Sequence, residues 1–245
     1  MKNKYHIGCS GYYYPSWRKE FYPEDVPVKN WLQYYSTVFN TVELNGTFYR
    51  TPRLSDLKRY HSLTKRNFKF SVKINKFITH NKKLKDCSGD IKDFEDLLLQ
   101  GLESKLAYFL FQMPPSFHCT EENLERVIKY VPHRPQSVIE FRHISWWNEE
   151  VQKALHKAKI TFCNVDFPGL DTRVINTTSH FYFRFHGSPD LFKSPYSPAR
   201  LKELYDQFPE KATAYTAYFN NTYYGYAYRN ARQLIQLTQK EPIHA

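Results

Sequence analysis

Eight short runs of β-branched and aromatic residues recur along the chain, each followed by a stretch with helical spacing or a loop. The runs are Tyr5–Cys9, Thr41–Asn45, Phe68–Lys73, Lys105–Gln112, Ser137–Arg142, Ile160–Asp166, His180–His186 and Thr213–Asn220. Between them, Ile91, Phe94, Leu97, Leu98 and Leu102 follow a capping Asp90, and Leu124, Val127, Ile128 and Val131 follow Thr120. Val151, Leu155 and Ala158 line a third helix, and Ser197-Pro198 sets a cap and first-turn proline before Leu201 and Leu204. Val28–Phe39 and Tyr228–Leu237 read as further helices, and Arg53–Leu63 carries a weaker period. Gly169–Ser179 combines Gly, Asp and β-branched residues, which predicts an irregular or missing helix after strand six. Strict alternation within 245 residues points to an α/β chain forming one (β/α)8 TIM-type barrel, a single domain over 1–245. An open doubly wound sheet would carry G-x-G-x-x-G after the first strand, and Gly8-Cys-Ser-Gly11 lacks that spacing.

The strand ends are polar. In Ser137–Trp147, Glu140 and Arg142 share one strand face while Ile139 and Phe141 share the other. Two buried charges must meet each other or a ligand. The pattern repeats: Glu43 and Asn45 end strand two, Lys73 strand three, Gln112 strand four, Asp166 strand six, Arg184 and His186 strand seven, and Asn220 and Asn221 strand eight. On strand seven, Arg184 and His186 oppose Phe181, Phe183 and Phe185, which suit the layer between barrel and helices. In a barrel these ends converge on the C-terminal mouth. Convergence favours a ligand site over a plug of mutually satisfied ion pairs.

Net charge is +11, and Lys58–Lys85 holds ten Lys and Arg without one Asp or Glu. Such a block attracts phosphates or nucleic acid. Cys9, Cys87, Cys119 and Cys163 form no C-x-x-C pair, so neither a zinc ribbon nor a redox pair is indicated. No apolar run reaches membrane length and Met1–Ile7 has no signal-like core, so a cytoplasmic protein without a membrane partner is expected.

Nine motifs carry a resemblance to a known family. They are Ile7-Gly-Cys-Ser-Gly11, Phe21-Tyr-Pro23, Val42-Glu-Leu-Asn45 with Thr47-Phe-Tyr-Arg50 and Pro52, Phe70-Ser-Val-Lys73 with Thr79-His80, Phe111-Gln-Met-Pro-Pro-Ser-Phe117, Glu140-Phe-Arg-His143 with Ser145-Trp146, Asp166-Phe-Pro168, Arg184-Phe-His-Gly187, and Phe219-Asn-Asn221 with Gly225-Tyr-Ala227. Together they resemble the YecE-like family, domain of unknown function seventy-two, over nearly the whole chain. The resemblance implies a TIM-type barrel and brings no reaction with it. Tyr12-Tyr-Tyr14 departs from the Trp-Ser-Tyr that many members carry in the first loop.

The expected ligand is a small anion, phosphate- or carboxylate-bearing, of polyhydroxy or nucleotide-like character. Arg142, Arg184 and Lys73 would hold the anion, and Asn45, Gln112, Asn220 and Asn221 would take hydroxyls. Tyr49 and Trp146 would stack on a ring. Glu43, Glu140, Asp166 and His186 are the candidates for moving protons. The loops after strands seven and eight, with Gly187-Ser188 and Asn220-Asn221, are the fold's usual phosphate grip. No organic cofactor is implied. A divalent metal on Glu43, Glu140, Asp166 and His186 is an alternative, opposed by the neighbouring arginines. A retaining glycosidase would place carboxylates at strands four and seven, where Gln112 and His186 stand. The rival from another class is a nucleic-acid binder using the Lys58–Lys85 segment.

Overall fold

The computed structural model describes residues 4–170 and 173–243. Its strands are β1 (Lys4–Cys9), β2 (Thr41–Leu44), β3 (Lys69–Lys73), β4 (Leu106–Gln112), β5 (Ser137–Glu140), β6 (Thr161–Asp166), β7 (His180–Phe185) and β8 (Ala214–Phe219). All pair in parallel, in the order β1-β8-β7-β6-β5-β4-β3-β2. The helices are α1 (Trp31–Val38), the single turn α2 (Gly46–Tyr49), α3 (Leu54–Leu63), α4 (Ser88–Leu102), α5 (Glu121–Tyr130), α6 (Glu149–Lys157), α7 (Pro198–Tyr205) and α8 (Tyr226–Lys240). This is the (β/α)8 barrel that the alternation predicts. Thr120 and Ser197 cap α5 and α7, accepting from the backbone N–H of Asn123 and Arg200. Asp90 is no cap: α4 starts at Ser88, and Asp90 sits in its first turn, where an acid complements the helix dipole. No helix forms over the described residues between β6 and β7; Asp171 and Thr172, within the predicted irregular stretch, lie outside them.

Side-chain parity divides the barrel into two layers. Phe181, Phe183 and Tyr215 gather around Phe208 on the outside, and Phe141 stacks on Trp146 beside Phe162. Inside, tyrosines replace the usual aliphatic fill. Tyr108 meets Tyr182 edge-on, Tyr218 shares its hydroxyl with Ser71 (2.8 Å) and Thr41, and Tyr182 donates to Glu43 (2.8 Å). A phenol can fill the taper and still satisfy a polar neighbour, which prepares the interior for charges one layer higher.

Closure between β1 and β2 depends on side chains, because among the described residues one isolated bridge, Ser10–Glu43 just after β1, joins this edge of the barrel. Tyr35 of α1 places its hydroxyl in the seam, accepting from Cys9 N–H (2.7 Å) and donating to Thr41 carbonyl (3.1 Å). Asn40 donates to Tyr5 carbonyl lower down (2.8 Å). A Cβ at Gly8 would stand 2.2 Å from Thr41 carbonyl and 2.8 Å from the Tyr35 hydroxyl, so only glycine permits this approach. The hydroxyl of Tyr35 therefore completes the barrel's hydrogen bonding. Tyr35→Phe should destabilise the protein by about 1–3 kcal/mol by orphaning a buried N–H and C=O. Urea unfolding checks this, and an unchanged midpoint would remove the stitching role.

Candidate functional site

The upper barrel interior is built around Arg184. It rises from β7 on the inward face, with 1% of its surface exposed. Its Nη2 and Nε donate to Glu43 Oε1 (2.6 and 3.2 Å), and its Nη1 donates to Glu140 Oε2 (2.5 Å). Glu43 also accepts from Ser10 Oγ and Tyr182 hydroxyl, both at 2.8 Å. Glu140 accepts from Arg142 Nε, and Cys163 Sγ lies 3.7 Å from its other oxygen. Arg142 Nη2 donates to His186 Nε2 (3.2 Å), and the Asn220 amide lies 3.1 Å from Nδ1 of the same ring. Glu43, Glu140 and His186 are wholly buried. Residues of β2, β5, β6 and β7, with Ser10 just after β1 and Asn220 just after β8, thus meet in one network.

Above this network lies an open cleft of about 750 Å³. Arg142 and Arg184 form its floor, with Lys73, Asn45, Gln112 and Asn220 around them. Tyr49, Phe192 and Tyr223, all substantially exposed, form an aromatic rim. The Arg142 guanidinium lies 4.2 Å from the Phe167 ring centre, and Lys73 Nζ lies 3.9 Å from that of Phe48. Phe192 holds φ +66°, an uncommon conformation for a bulky residue, and its N–H donates to His186 carbonyl (2.7 Å). His80 completes the wall, edge-on to Phe48 and bonded to Thr79 Oγ1 (2.9 Å).

Not every residue expected at the mouth reaches it. Asp166 faces outward, accepting from Tyr196 hydroxyl (2.6 Å) and Arg200 (3.1 Å), because Cys163 and Val165 occupy the inward parity of β6. Trp146 is buried between Phe117 and Phe141 and donates to Phe117 carbonyl (2.6 Å), so it cannot stack on a ligand. Asn221 is buried too, bracing Ser194 and Asn230 at 3.0 Å each. Gly187 N–H is taken by Tyr196 hydroxyl (2.8 Å) and adds nothing to a phosphate grip. Glu43, Glu140, Asp166 and His186 do not assemble as metal ligands: Asp166 points away, and the guanidiniums occupy both glutamates. Among the described residues no group of three or more His, Cys, Asp and Glu could hold a metal ion. Sequence reasoning gave no ligand role to Tyr14, Ser16, Phe167, Phe192, Thr222 or Tyr223, all of which line the cleft. Of the lining residues outside the expected site, His80 and Phe167 lie in resemblance motifs, and Tyr14 lies in the first-loop departure from the family pattern.

Charge states follow from these contacts. Burial alone would push the Glu140 carboxyl up, but Arg142, Arg184 and His186 outweigh it and hold it well below the usual range. Burial, with Arg142 and Arg184 beside it, pushes His186 down to about 3, so the ring is neutral near pH 7 and orients Arg142. Burial, then Lys73 and Arg142, lower His80 to about 4. Lys73 falls to about 8 through burial and Arg184, with Glu140 and Glu43 only partly offsetting them. No carboxylate among the described residues stands within ion-pair distance of its ammonium. Three cations, Lys73, Arg142 and Arg184, face two carboxylates, leaving one positive charge in excess.

The fold and site define a TIM-type barrel with a polar, cation-rich C-terminal mouth. The chain belongs to the family described as protein of unknown function DUF72, whose model matches residues 6–244, and the resemblance read from the motifs is to that same family. A DUF72 family protein of Thermotoga maritima is similar to it, with 31% identity, a TM-score of 0.87, and coverage of 96% of this chain and 99% of that one. One from Enterococcus faecalis shares the fold at 18% identity and a TM-score of 0.80, covering 96% and 95%. The UPF0759 protein YunF of Bacillus subtilis is 31% identical over 135 residues, which is 52% of this chain and 48% of that protein's length. This chain thus spans about half of that relative.

Two outcomes test the electrostatics. Glu140 is a structural group as much as a site group, so Glu140→Gln should cost about 3–5 kcal/mol by leaving buried guanidiniums uncompensated. With its folded pKa depressed, Glu140 stabilises the protein above the ordinary carboxylate pKa, and that share is lost as pH falls through the lower folded value. Glu140→Gln should therefore also flatten the acid limb of a pH–stability curve; a limb of unchanged slope would contradict the assignment. Lys73, whose pKa is also lowered, costs stability where it is charged. Below about pH 8 the fold bears the full cost of its buried charge, and between about 8 and 10.5 stability rises with pH as the folded state sheds its proton first. Lys73→Met should stabilise the protein by about 1–3 kcal/mol near pH 7, with the gain shrinking above about pH 8. Denaturant titrations at several pH values decide it; destabilisation by Lys73→Met would contradict it.

Proposed function

We propose that the cleft binds a small anion, phosphate- or carboxylate-bearing, whose remainder carries hydroxyls or a ring, as in a polyhydroxy or nucleotide-like compound. One observation carries the reading: Lys73 faces the cleft as a desolvated cation without a carboxylate partner, beside Arg142. A half-buried, unpaired ammonium is unfavourable unless something is gained, and an incoming anion supplies the missing countercharge. The amides of Asn45, Gln112 and Asn220 suit hydroxyls, and the rim of Tyr49, Phe192 and Tyr223 suits a sugar or aromatic face.

The nucleic-acid reading is less well supported. In the basic segment, Lys65 and Arg66 precede β3 and Lys76–Lys85 follow it, so the strand sends the two halves to opposite ends of the barrel. Lys82 pairs with Asp90, and Lys69 donates to Ser104 carbonyl. No helix among the described residues is long and apolar enough to cross a membrane.

Calorimetry with inorganic phosphate and ribose 5-phosphate is the test. Lys73→Met should weaken binding about ten- to a hundredfold, the worth of one charge-assisted contact. Binding should also take up protons at about pH 8.5, because an anion favours protonated Lys73. Undiminished affinity in Lys73→Met would refute the proposal, and retention of short oligonucleotides at low salt without phosphate binding would favour the rival.

A further inference from the structure

The lysines of this chain differ sharply in how their amines are held. Lys82, Lys92, Lys153 and Lys202 lie in ion pairs with acids. Lys105 is buried, and three oxygens fix its ammonium: His61 carbonyl (2.6 Å), Thr64 carbonyl (2.8 Å) and Thr64 Oγ1 (3.1 Å). Lys73 ends β3 on the inward face, borders the cleft, and rests its Nζ on the Phe48 ring. Four charged groups act on it: Arg184 from β7, Glu140 and Arg142 from β5 and its exit, and Glu43 from β2. His80, from the turn after β3, is neutral near pH 7. Burial and two guanidiniums oppose the ammonium, so a larger share of free amine is present at neutral pH than on an ordinary lysine.

We propose that Lys73 is a nucleophile toward carbonyl compounds, its Nζ condensing with an aldehyde or ketone that also carries a phosphate or carboxylate. This rests on the anion-binding reading above, with Arg142 taking the anionic group and Lys73 the carbonyl. The Nζ lone pair adds to the carbonyl carbon, the C=O π pair moves to oxygen, and solvent in the open cleft protonates that oxygen. The carbinolamine nitrogen loses a proton to solvent, solvent gives the hydroxyl a second proton, and the nitrogen lone pair expels it as water, leaving a protonated C=N bond. Nothing is oxidised or reduced. Asn45 and Gln112, both on the cleft wall, suit the transient hydroxyl. Cys163 is the other buried nucleophile near the network, but burial and Glu140 push its thiol well up, and it does not border the cleft.

The amine of Lys73 titrates at about 8 against 10.5 for an ordinary lysine. At about pH 7.5 roughly a quarter of it is free, against about one part in a thousand of a surface lysine. Lower basicity returns part of that gain as weaker nucleophilicity, so labelling should favour Lys73 by about tenfold. The experiment incubates the full chain with limiting pyridoxal 5′-phosphate or pyridoxal, reduces with cyanoborohydride, and locates the secondary amine by peptide mass spectrometry. The expected result is a dominant phosphopyridoxyl adduct on Lys73, suppressed by inorganic phosphate and weaker with pyridoxal. Lys73→Arg should abolish that adduct. Label scattered over exposed lysines, with phosphate still bound, would overturn the nucleophile and leave the anion site standing. Equal labelling of Lys73 by both reagents, with no phosphate bound, would instead overturn the anionic ligand class. Neither labelling of Lys73 nor phosphate binding would overturn both.

Discussion

Arg184 is the interaction on which the mouth of this barrel depends. One guanidinium, almost wholly removed from water, ties Glu43 on β2 to Glu140 on β5 across the barrel axis. A buried charge of this kind is tolerable only when its partners are fixed and their remaining lone pairs are used. Ser10, Tyr182 and Arg142 use them. The tyrosines beneath are part of the same solution, because an aliphatic interior could not supply the hydroxyl that Glu43 accepts from Tyr182. A polar plug and an open cleft are here successive layers, so the plug and the proposed ligand site are compatible accounts of the strand ends. The plug neutralises most of the charge, and the excess is left at the surface of the cleft, on Lys73 and Arg142.

The parts legible in the sequence were those governed by local periodicity. All eight strands appear within one or two residues of where β-branched and aromatic runs place them, and the alternation of Arg184 with Phe183 and Phe185 separates inside from outside. The same rule applied to β6 puts Asp166 on the side of Asn164, away from Cys163. That reading was obscured because both faces of the strand mix polar and apolar residues. Trp146 was hidden for another reason: its slot is made by Phe117, distant in sequence, and by Phe141. The seam between β1 and β2 depends on one hydroxyl of α1, and no sequence pattern announces that. Two of the three rim aromatics, Phe192 and Tyr223, come from the loops after β7 and β8, where Tyr223 N–H donates to Phe192 carbonyl (3.2 Å) through a contact that only the folded chain creates.

What the layering means chemically is a division of labour. Residues that looked like acid–base candidates, Glu43, Glu140 and His186, lie sealed beneath the cleft and set the positions and charge states of the groups above them. The groups that can meet a ligand are Arg142, Lys73 and the amides around them. Lys73 stands apart because its environment disfavours its own charge, a cost the fold would shed with any neutral side chain of similar size. Functional groups are often held in such unfavourable states by a rigid surround. Here the rigid surround is the ion network under Arg184.

The most direct test of this account is an NMR titration of the Lys73 side chain, followed through its ¹³Cε resonance with and without phosphate. The account predicts a midpoint of about 8 in the free protein, moving upward when phosphate binds. A midpoint at the ordinary lysine value, unmoved by phosphate, would contradict it.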